Sequence, residues 1–249
     1  MAVAAEILKK EFTAQGVKIV EIRNESGGIT VEAVETGKVT TEISDFDPEK
    51  ADLTTETHGD AVLLEVKKKK SWWSFFGGES VKANFKVTAP KNVFVKTALG
   101  NGTLEITGME GGADIKSGNG EIKFTKTAGD LTLKTGNSRI KGDISSKNVD
   151  IKAGNTDMEL SGLLGSFYCK SGNAGLKLEW NKVPEMGEVN VKAGNINAQL
   201  TFPHETKLST SFTMAGGNIE NEFQNDPSAA FKISMTAGSG RVTLKKSLH

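Results

Sequence analysis

The sequence is poor in cysteine and proline and carries no excess charge of either sign. It has 249 residues, with one cysteine and five prolines. Because Cys169 is alone, neither an intrachain disulfide nor a cysteine metal cluster can form. Lys plus Arg and Asp plus Glu both number 31, so the formal net charge is zero and does not favour a nucleic-acid partner. The 28 glycines fit many short strands separated by turns.

Long apolar runs are absent as well. No stretch approaches the roughly 18 consecutive apolar residues of a membrane-spanning helix. The run from Met1 to Glu11 lacks the apolar core of a signal peptide. We therefore expect a cytoplasmic protein, or one held peripherally at a membrane surface.

An internal repeat dominates what is present. The tetrad Lys-x-Gly-Asn recurs at a spacing of 18 residues, and a further copy follows after 22. Gly100-Asn101 precedes this series, and Gly217-Asn218 and Gly238-Ser239 resemble later members. The five full tetrads begin at Lys116, Lys134, Lys152, Lys170 and Lys192.

Apolar residues between the tetrads keep the same period and alternate with polar residues, as in β-strands. One such unit cannot bury its apolar face alone, but units stacked ~4.8 Å apart give each strand a hydrogen-bonded neighbour. The sequence therefore predicts an all-β fold, a right-handed β-solenoid with two main strands in each coil of 18–22 residues. Apolar residues do not recur every six positions, which excludes a left-handed helix of hexapeptides. One predicted column contains Leu104, Ile122, Ile140, Met158 and Leu176.

Three regions are predicted along the chain. Residues 1–16 form an N-terminal tail or a capping helix. Residues 17–92 form irregular first coils that include an aromatic loop at 67–78. Residues 93–246 form the regular solenoid, with loop insertions at 180–187 and 201–207.

The asparagines of the repeat are predicted to form a ladder at the turns. Glycine and asparagine both tolerate positive φ, and stacked asparagines can hydrogen-bond amide to amide. The alternative is that these side chains line a ligand site. The predicted ladder comprises Asn101, Asn119, Asn137, Asn155, Asn173, Asn195 and Asn218.

The repeat also resembles a known family. The pattern Lys-x-Gly-Asn-x-x-Ile-x-Leu, followed by Gly-Asp-Leu-Thr-Leu-Lys-Thr, is similar to the putative-adhesin family of bacterial β-strand-repeat proteins, the DUF4097 type. The resemblance covers residues 17–246. It implies a right-handed β-solenoid, often attached to a bacterial envelope, and it brings no catalytic residues with it.

Residues that could carry catalysis are few. His58, His204 and His249 lie far apart and lack metal-ligand spacing. Cys169 falls in an inward column, where a small apolar filler is a better interpretation than a nucleophile. We predict no catalytic residue, metal site or cofactor, and a small-molecule substrate is not expected.

A lysine stripe is predicted on the outside of the coils. Two interpretations are open: a solvated edge that discourages aggregation, or a surface that binds an anionic polymer. The stripe comprises Lys116, Lys134, Lys152, Lys170 and Lys192.

The most unusual local feature is a basic aromatic segment. Its four rings could bury roughly 600–1,000 Å², which exceeds the apolar patch that a monomer normally exposes. These rings could be covered by the chain's own solenoid, by a protein partner or a second copy, or by a membrane interface. The segment contains Lys67, Lys68, Lys69, Lys70, Trp72, Trp73, Phe75 and Phe76.

These observations favour a non-enzymatic structural or interaction module. It would present a repetitive β-solenoid surface and attach to a partner or membrane through the aromatic loop. One alternative is a carbohydrate- or anionic-polymer-binding protein. A second alternative is a polysaccharide-processing enzyme.

Overall fold

A computed structural model describes residues 7–69 and 81–247. Within these ranges the secondary structure consists of 14 strands in one open sheet, with no helix. The strands are β1 (Leu8–Thr13), β2 (Ile19–Ala33), β3 (Lys38–Ser44), β4 (Ala51–His58), β5 (Ala61–Lys68), β6 (Asn84–Ala89), β7 (Phe94–Thr107), β8 (Ala113–Ala128), β9 (Leu131–Ser145), β10 (Asn148–Ser161), β11 (Ser166–Glu179), β12 (Gly187–Phe202), β13 (Ser209–Asn221) and β14 (Phe231–Lys246).

The long strands stack in parallel, one coil on the next. Their order in space is β2, β7, β8, β9, β10, β11, β12, β14 and β13. Ile122 pairs with Leu104 on one side and Ile140 on the other, and Met158 pairs with Ile140. Residues spaced 18 apart are therefore neighbours in adjacent strands, and the β-solenoid prediction is confirmed. The hand of the coil stays a prediction.

Each long strand turns a corner at the repeated tetrad. In β9, Leu131 and Leu133 are buried, and the next inward residues are Ser138 and Ile140. The parity of the buried positions changes between them, so the strand bends and contributes to two faces of the coil. Apolar residues from both faces form one core that extends from Val20 to Leu244.

The glycine of the tetrad has a different role from the predicted one. Positive φ was expected there, but none of Gly118, Gly136 or Gly154 has it, and neither do the ladder asparagines. A Cβ on Gly136 would lie 2.4 Å from the carbonyl oxygen of Gly118 in the preceding coil. Close stacking of one corner on another therefore excludes any side chain at this position.

The N-terminal strands continue the stack in an interrupted form. β2 is a full coil, with Ser26 beside Asn101 of β7. On its other side, the first half of β2 pairs with β5 and the second half pairs with β6. β5 and β6 therefore act together as one more coil, and residues 70–80 connect them.

Antiparallel strands border this end of the sheet. β4 pairs with β5, and β1 and β3 follow β6. The helix allowed for residues 1–16 is wrong for residues 8–13, which form β1 because they pair with β3 and pack Leu8 and Phe12 on the core.

An aromatic cluster fills the coils near the C-terminal end. Trp180 is fully buried, stacks on Phe202 at 4.4 Å between ring centroids, and donates its indole N–H to the carbonyl of Gly165 at 3.0 Å. Phe223 and Phe231 make edge contacts with Phe202. The insertion predicted at 180–187 therefore begins on a core residue and ends where β12 starts, at Gly187. Nowhere in the two described ranges is there a helix of the length and hydropathy needed to cross a membrane.

Candidate functional site

The asparagines of the tetrads form a hydrogen-bonded ladder along one corner of the coils. Asn119 donates to the side-chain oxygen of Asn101 at 2.9 Å, and Asn137 donates to that of Asn119 at 2.9 Å. Asn155 donates to Asn137 at 2.7 Å, Asn173 donates to Asn155, and Asn195 donates to Asn173 at 2.8 Å. These amides are engaged with one another, as a structural ladder requires.

Asn218 does not belong to this ladder. The next rung after Asn195 is Ser239, whose hydroxyl donates to the Asn195 side-chain oxygen at 2.8 Å. In β13 the residue level with Ser239 is Gly216, so Asn218 lies two positions past the corner and donates to Glu220 instead. The prediction failed because the corner position of β13 is Gly216, two residues before Asn218; β14 also lies between β12 and β13, which sequence order does not reveal.

The five tetrad lysines occupy one exposed column. Lys116, Lys134, Lys152, Lys170 and Lys192 are consecutive partners in the strand register. No carboxylate forms an ion pair with any of them among the residues that the structure describes. At ~4.8 Å between strands, these ammonium groups repel one another and attract any anion with a matching spacing of charges.

The column continues toward the N-terminal strands through different residues. Beyond Lys116 it passes through Ala98 and Arg23 to Glu65. Arg23 lies 2.7 Å from Glu21 and 3.5 Å from Glu65. Burial raises the pKa of Glu21, but hydrogen bonds and charges from Arg23 and Lys96 outweigh it, so the pKa lies below its usual value. The positive charge of Arg23 is therefore compensated by carboxylates, whereas the tetrad lysines of the same column have no such partner in the described ranges.

A groove of about 610 Å³ lies where this column meets the end of β5. Lys67, Lys116 and Lys134 line it together with Arg23, Glu25 and Glu65. Glu65 is paired with Arg23, and none of the three lysines has an ion-pair partner in the described ranges. Its floor includes Val66 and Leu99, both buried core residues. An apolar floor and a rim with more cations than carboxylates suit an anionic group attached to an apolar one.

Sequence reasoning identified the lysines separately but not the groove. Arg23, Lys67 and Lys116 come from three distant parts of the chain with no shared period. They come together through the parallel pairing of β2 with β5 and β7, and of β7 with β8.

The three described lysines of the basic segment lie in different environments. Lys67 faces the groove, and Lys68 is half-buried. Lys69 donates to the carbonyl of Pro48 at 2.6 Å and lies 3.9 Å from Asp52. The remaining predicted members, Lys70, Trp72, Trp73, Phe75 and Phe76, lie outside the described residues.

A second depression of about 510 Å³ lies on another outer face of the coils. Four of its five charged residues are paired: Lys177 contacts Glu159, and Arg139 lies 3.8 Å from Asp157. The hydrogen bond and charge of Lys177 lower the pKa of Glu159. A carboxyl held in its ionised form is a poor general acid for glycoside cleavage.

The single cysteine is buried in the core. Burial raises the pKa of Cys169 to about 12, so the thiolate needed for nucleophilic attack is disfavoured. Over residues 7–69 and 81–247, no group of three or more His, Cys, Asp or Glu side chains is placed to hold a metal ion.

The parallel stack, the asparagine ladder and the outward lysine column define a β-solenoid-like repeat protein. The family model described as Toastrack DUF4097 matches residues 17–248, and the chain belongs to this family. No curated protein matches the chain.

Several solved structures are similar over most of their length. A putative cell adhesion protein from Clostridium sporogenes is 11% identical, with 98% of this chain and 100% of that chain covered and a TM-score of 0.35. A putative lipid binding protein from Parabacteroides distasonis is 14% identical, with coverages of 94% and 96% and a TM-score of 0.34. A putative adhesin from Bacteroides fragilis is 12% identical, with coverages of 97% and 97% and a TM-score of 0.30. Family membership therefore rests on the family model.

Proposed function

We propose that this protein is a non-enzymatic attachment module that binds an anionic membrane surface through its basic groove. The observation that carries the proposal is the convergence of Lys67, Lys116 and Lys134 at one groove without carboxylate partners in the described ranges. Lysines near an anionic leaflet contribute about 1 kcal/mol each. The lysine stripe extends the same positive surface along the coils.

The neighbouring sequence supports a membrane rather than a soluble anion. The groove lies at the end of β5, directly before the segment whose sequence contains Trp72, Trp73, Phe75 and Phe76. Tryptophan and phenylalanine partition favourably into the interfacial region of a bilayer. Lysines and aromatic residues would then act on the same membrane from adjacent parts of the chain.

The test is co-sedimentation with vesicles of phosphatidylcholine alone and with added phosphatidylserine. We expect binding only to the anionic vesicles, with weakening by salt. Lys116→Glu with Lys134→Glu should reduce the bound fraction by about tenfold or more, since two favourable charges become unfavourable. Trp72→Ala with Trp73→Ala should also reduce it.

A matched control comes from the same two strands. Lys123 and Lys141 also lie in β8 and β9 and are exposed, but they belong to a different outward column. Lys123→Glu with Lys141→Glu changes the net charge equally and should leave binding nearly intact. Equal loss in both double variants, or binding to neutral vesicles, contradicts the proposal.

An anionic polymer is the alternative that the stripe itself favours. The five lysines form a line rather than a patch, which matches an extended polyanion. Binding to a soluble polyanion such as heparin, without binding to anionic vesicles, would support this alternative and refute the membrane proposal.

A further inference from the structure

The sheet ends at its C-terminal side on an open strand. β13 is hydrogen-bonded to β14 on one side, and no other strand of the described chain pairs with it. Its inward apolar residues are only partly covered: Phe212 and Met214 are partly buried, and Ile219 is 42% exposed. In interior coils the residues of the same columns as Phe212 and Ile219 are Val191 and Ala198, which are buried.

The free backbone groups of this strand can be located from its neighbours. Leu208 accepts a hydrogen bond from the N–H of Asp226 at 2.9 Å, and the N–H of Thr210 donates to the Asn225 side chain at 2.7 Å. These contacts lie on the side away from β14. Because backbone groups alternate in direction along a strand, those of Phe212 and Met214 point to the same open side. In the part of β13 before the corner at Gly216, the open window therefore centres on Thr213.

The charge of this edge differs from that at the other end of the sheet. β13 contains one charged residue, Glu220, in 13 positions. At the opposite end, β1 carries Lys9, Lys10 and Glu11, and β4 carries Asp52 and Glu56. Charged side chains on an edge strand discourage pairing with another chain. β13 lacks that protection.

We propose that β13 is a self-association edge, through which two copies of this protein pair tail to tail. The strands run antiparallel about a twofold axis at Thr213. Phe212 of each copy then lies opposite the partner's Met214, and both pairs exchange backbone hydrogen bonds. A register centred on Phe212 would need the backbone of Thr210, whose N–H is already bonded to Asn225. A register centred on Met214 would need the corner at Gly216.

A second copy is the occupant that this edge fits. A nearly neutral strand can face itself without repulsion, and a twofold axis makes one patch self-complementary. Side chains directly opposite in an antiparallel pair lie on the same face of the sheet. The half-covered Phe212 and Met214 of the two copies would therefore meet on the core side. The charged edges at the other end limit the assembly to two copies.

Two threonines allow a matched test. Thr213 and Thr236 are adjacent in one exposed column, with Thr213 on the edge and Thr236 one strand further in. Sedimentation velocity across a wide concentration range should show a dimer for the unaltered chain. Thr213→Lys places like charges face to face and should raise the dimer dissociation constant about tenfold or more, whereas Thr236→Lys should not.

Crosslinking tests the register directly. At the proposed axis the two Thr213 Cα atoms would lie about 4.5 Å apart, within disulfide range. Thr213→Cys should therefore form a crosslinked dimer under mild oxidation. Thr236→Cys should not, because its two copies would lie roughly 14 Å apart. Native Cys169 is buried and does not interfere.

Four results would overturn the inference: a monomer at every concentration, a dimer that tolerates Thr213→Lys, equal crosslinking at both positions, or growth beyond two copies. Neither threonine lines the basic groove, although both continue the lysine column beyond Lys192. Sedimentation and crosslinking are measured without vesicles, so failure of the dimer and failure of vesicle binding are separate results.

Discussion

At the residue scale, the asparagine of each tetrad uses both halves of its amide. The Asn137 side chain donates to Asn119 and accepts from Asn155. The same residue type thus donates to one coil and accepts from the next, which explains why an amide rather than a carboxylate recurs at this corner. A carboxylate column would lack donors and would repel itself.

Asn137→Ala removes two of these hydrogen bonds from the middle of the ladder. Because they lie near solvent, we expect a loss of about 1–2 kcal/mol in the free energy of unfolding, measured by urea denaturation. Asn218→Ala is the control, since the Asn218 side chain donates to Glu220 within its own strand rather than to the next coil. It should cost less than about 0.5 kcal/mol. Equal losses at both sites would show that the ladder contributes nothing of its own.

At the element scale, the bend in each long strand depends on a glycine at the corner. Gly118 and Gly136 stack so closely that a Cβ on either meets a backbone oxygen of the previous coil within 2.4 Å. This contact fixes glycine next to each ladder asparagine and lets one continuous strand serve two faces.

Gly136→Ala should therefore destabilise the fold strongly. The methyl group would force two corners apart, at a cost of about 1–3 kcal/mol or more. Gly37→Ala provides the comparison, because a Cβ there meets nothing within 4 Å and its φ is not positive. Thermal unfolding should show a clear loss for Gly136→Ala and little change for Gly37→Ala. A small effect at Gly136 would mean that the corners can separate freely.

Much of the element arrangement could be predicted from the sequence. Alternating apolar residues and the spacing of 18 identified columns such as Leu104, Ile122 and Ile140, because residues one repeat apart become neighbours in adjacent coils of the stack. The exchange of β13 and β14 could not be predicted, since the tetrad is degenerate in both strands. The steric reason for the glycine could not be predicted either, because the close carbonyl oxygen of the preceding coil has no signature in the sequence.

At the scale of the whole molecule, the two ends of the stack differ. Charged antiparallel strands border the N-terminal end, and the nearly neutral β13 forms the other edge. The basic groove lies near the first end, where β2, β5, β7, β8 and β9 contribute its lining. Its residues come from separate regions of the chain, so only the assembled stack could reveal the site.

The arrangement of coils makes a direct claim about chain length. Residues 153–170 correspond to one complete repeat, from the position after Lys152 to Lys170. A second copy of this segment inserted after Lys170 would add one coil and keep every column, including the ladder between Asn155 and Asn173. A copy of residues 153–169 would be one residue short, and a one-residue slip moves apolar side chains to the wrong face.

Thermal unfolding of these two insertion variants, followed by far-ultraviolet circular dichroism, tests the stack most directly. The 18-residue insertion should unfold cooperatively at a midpoint close to that of the unaltered protein or above it. The 17-residue insertion should lower the midpoint by about 5 °C or more, equivalent to a loss of about 2 kcal/mol. Equal midpoints for the two variants would contradict a fold built from coils of fixed length.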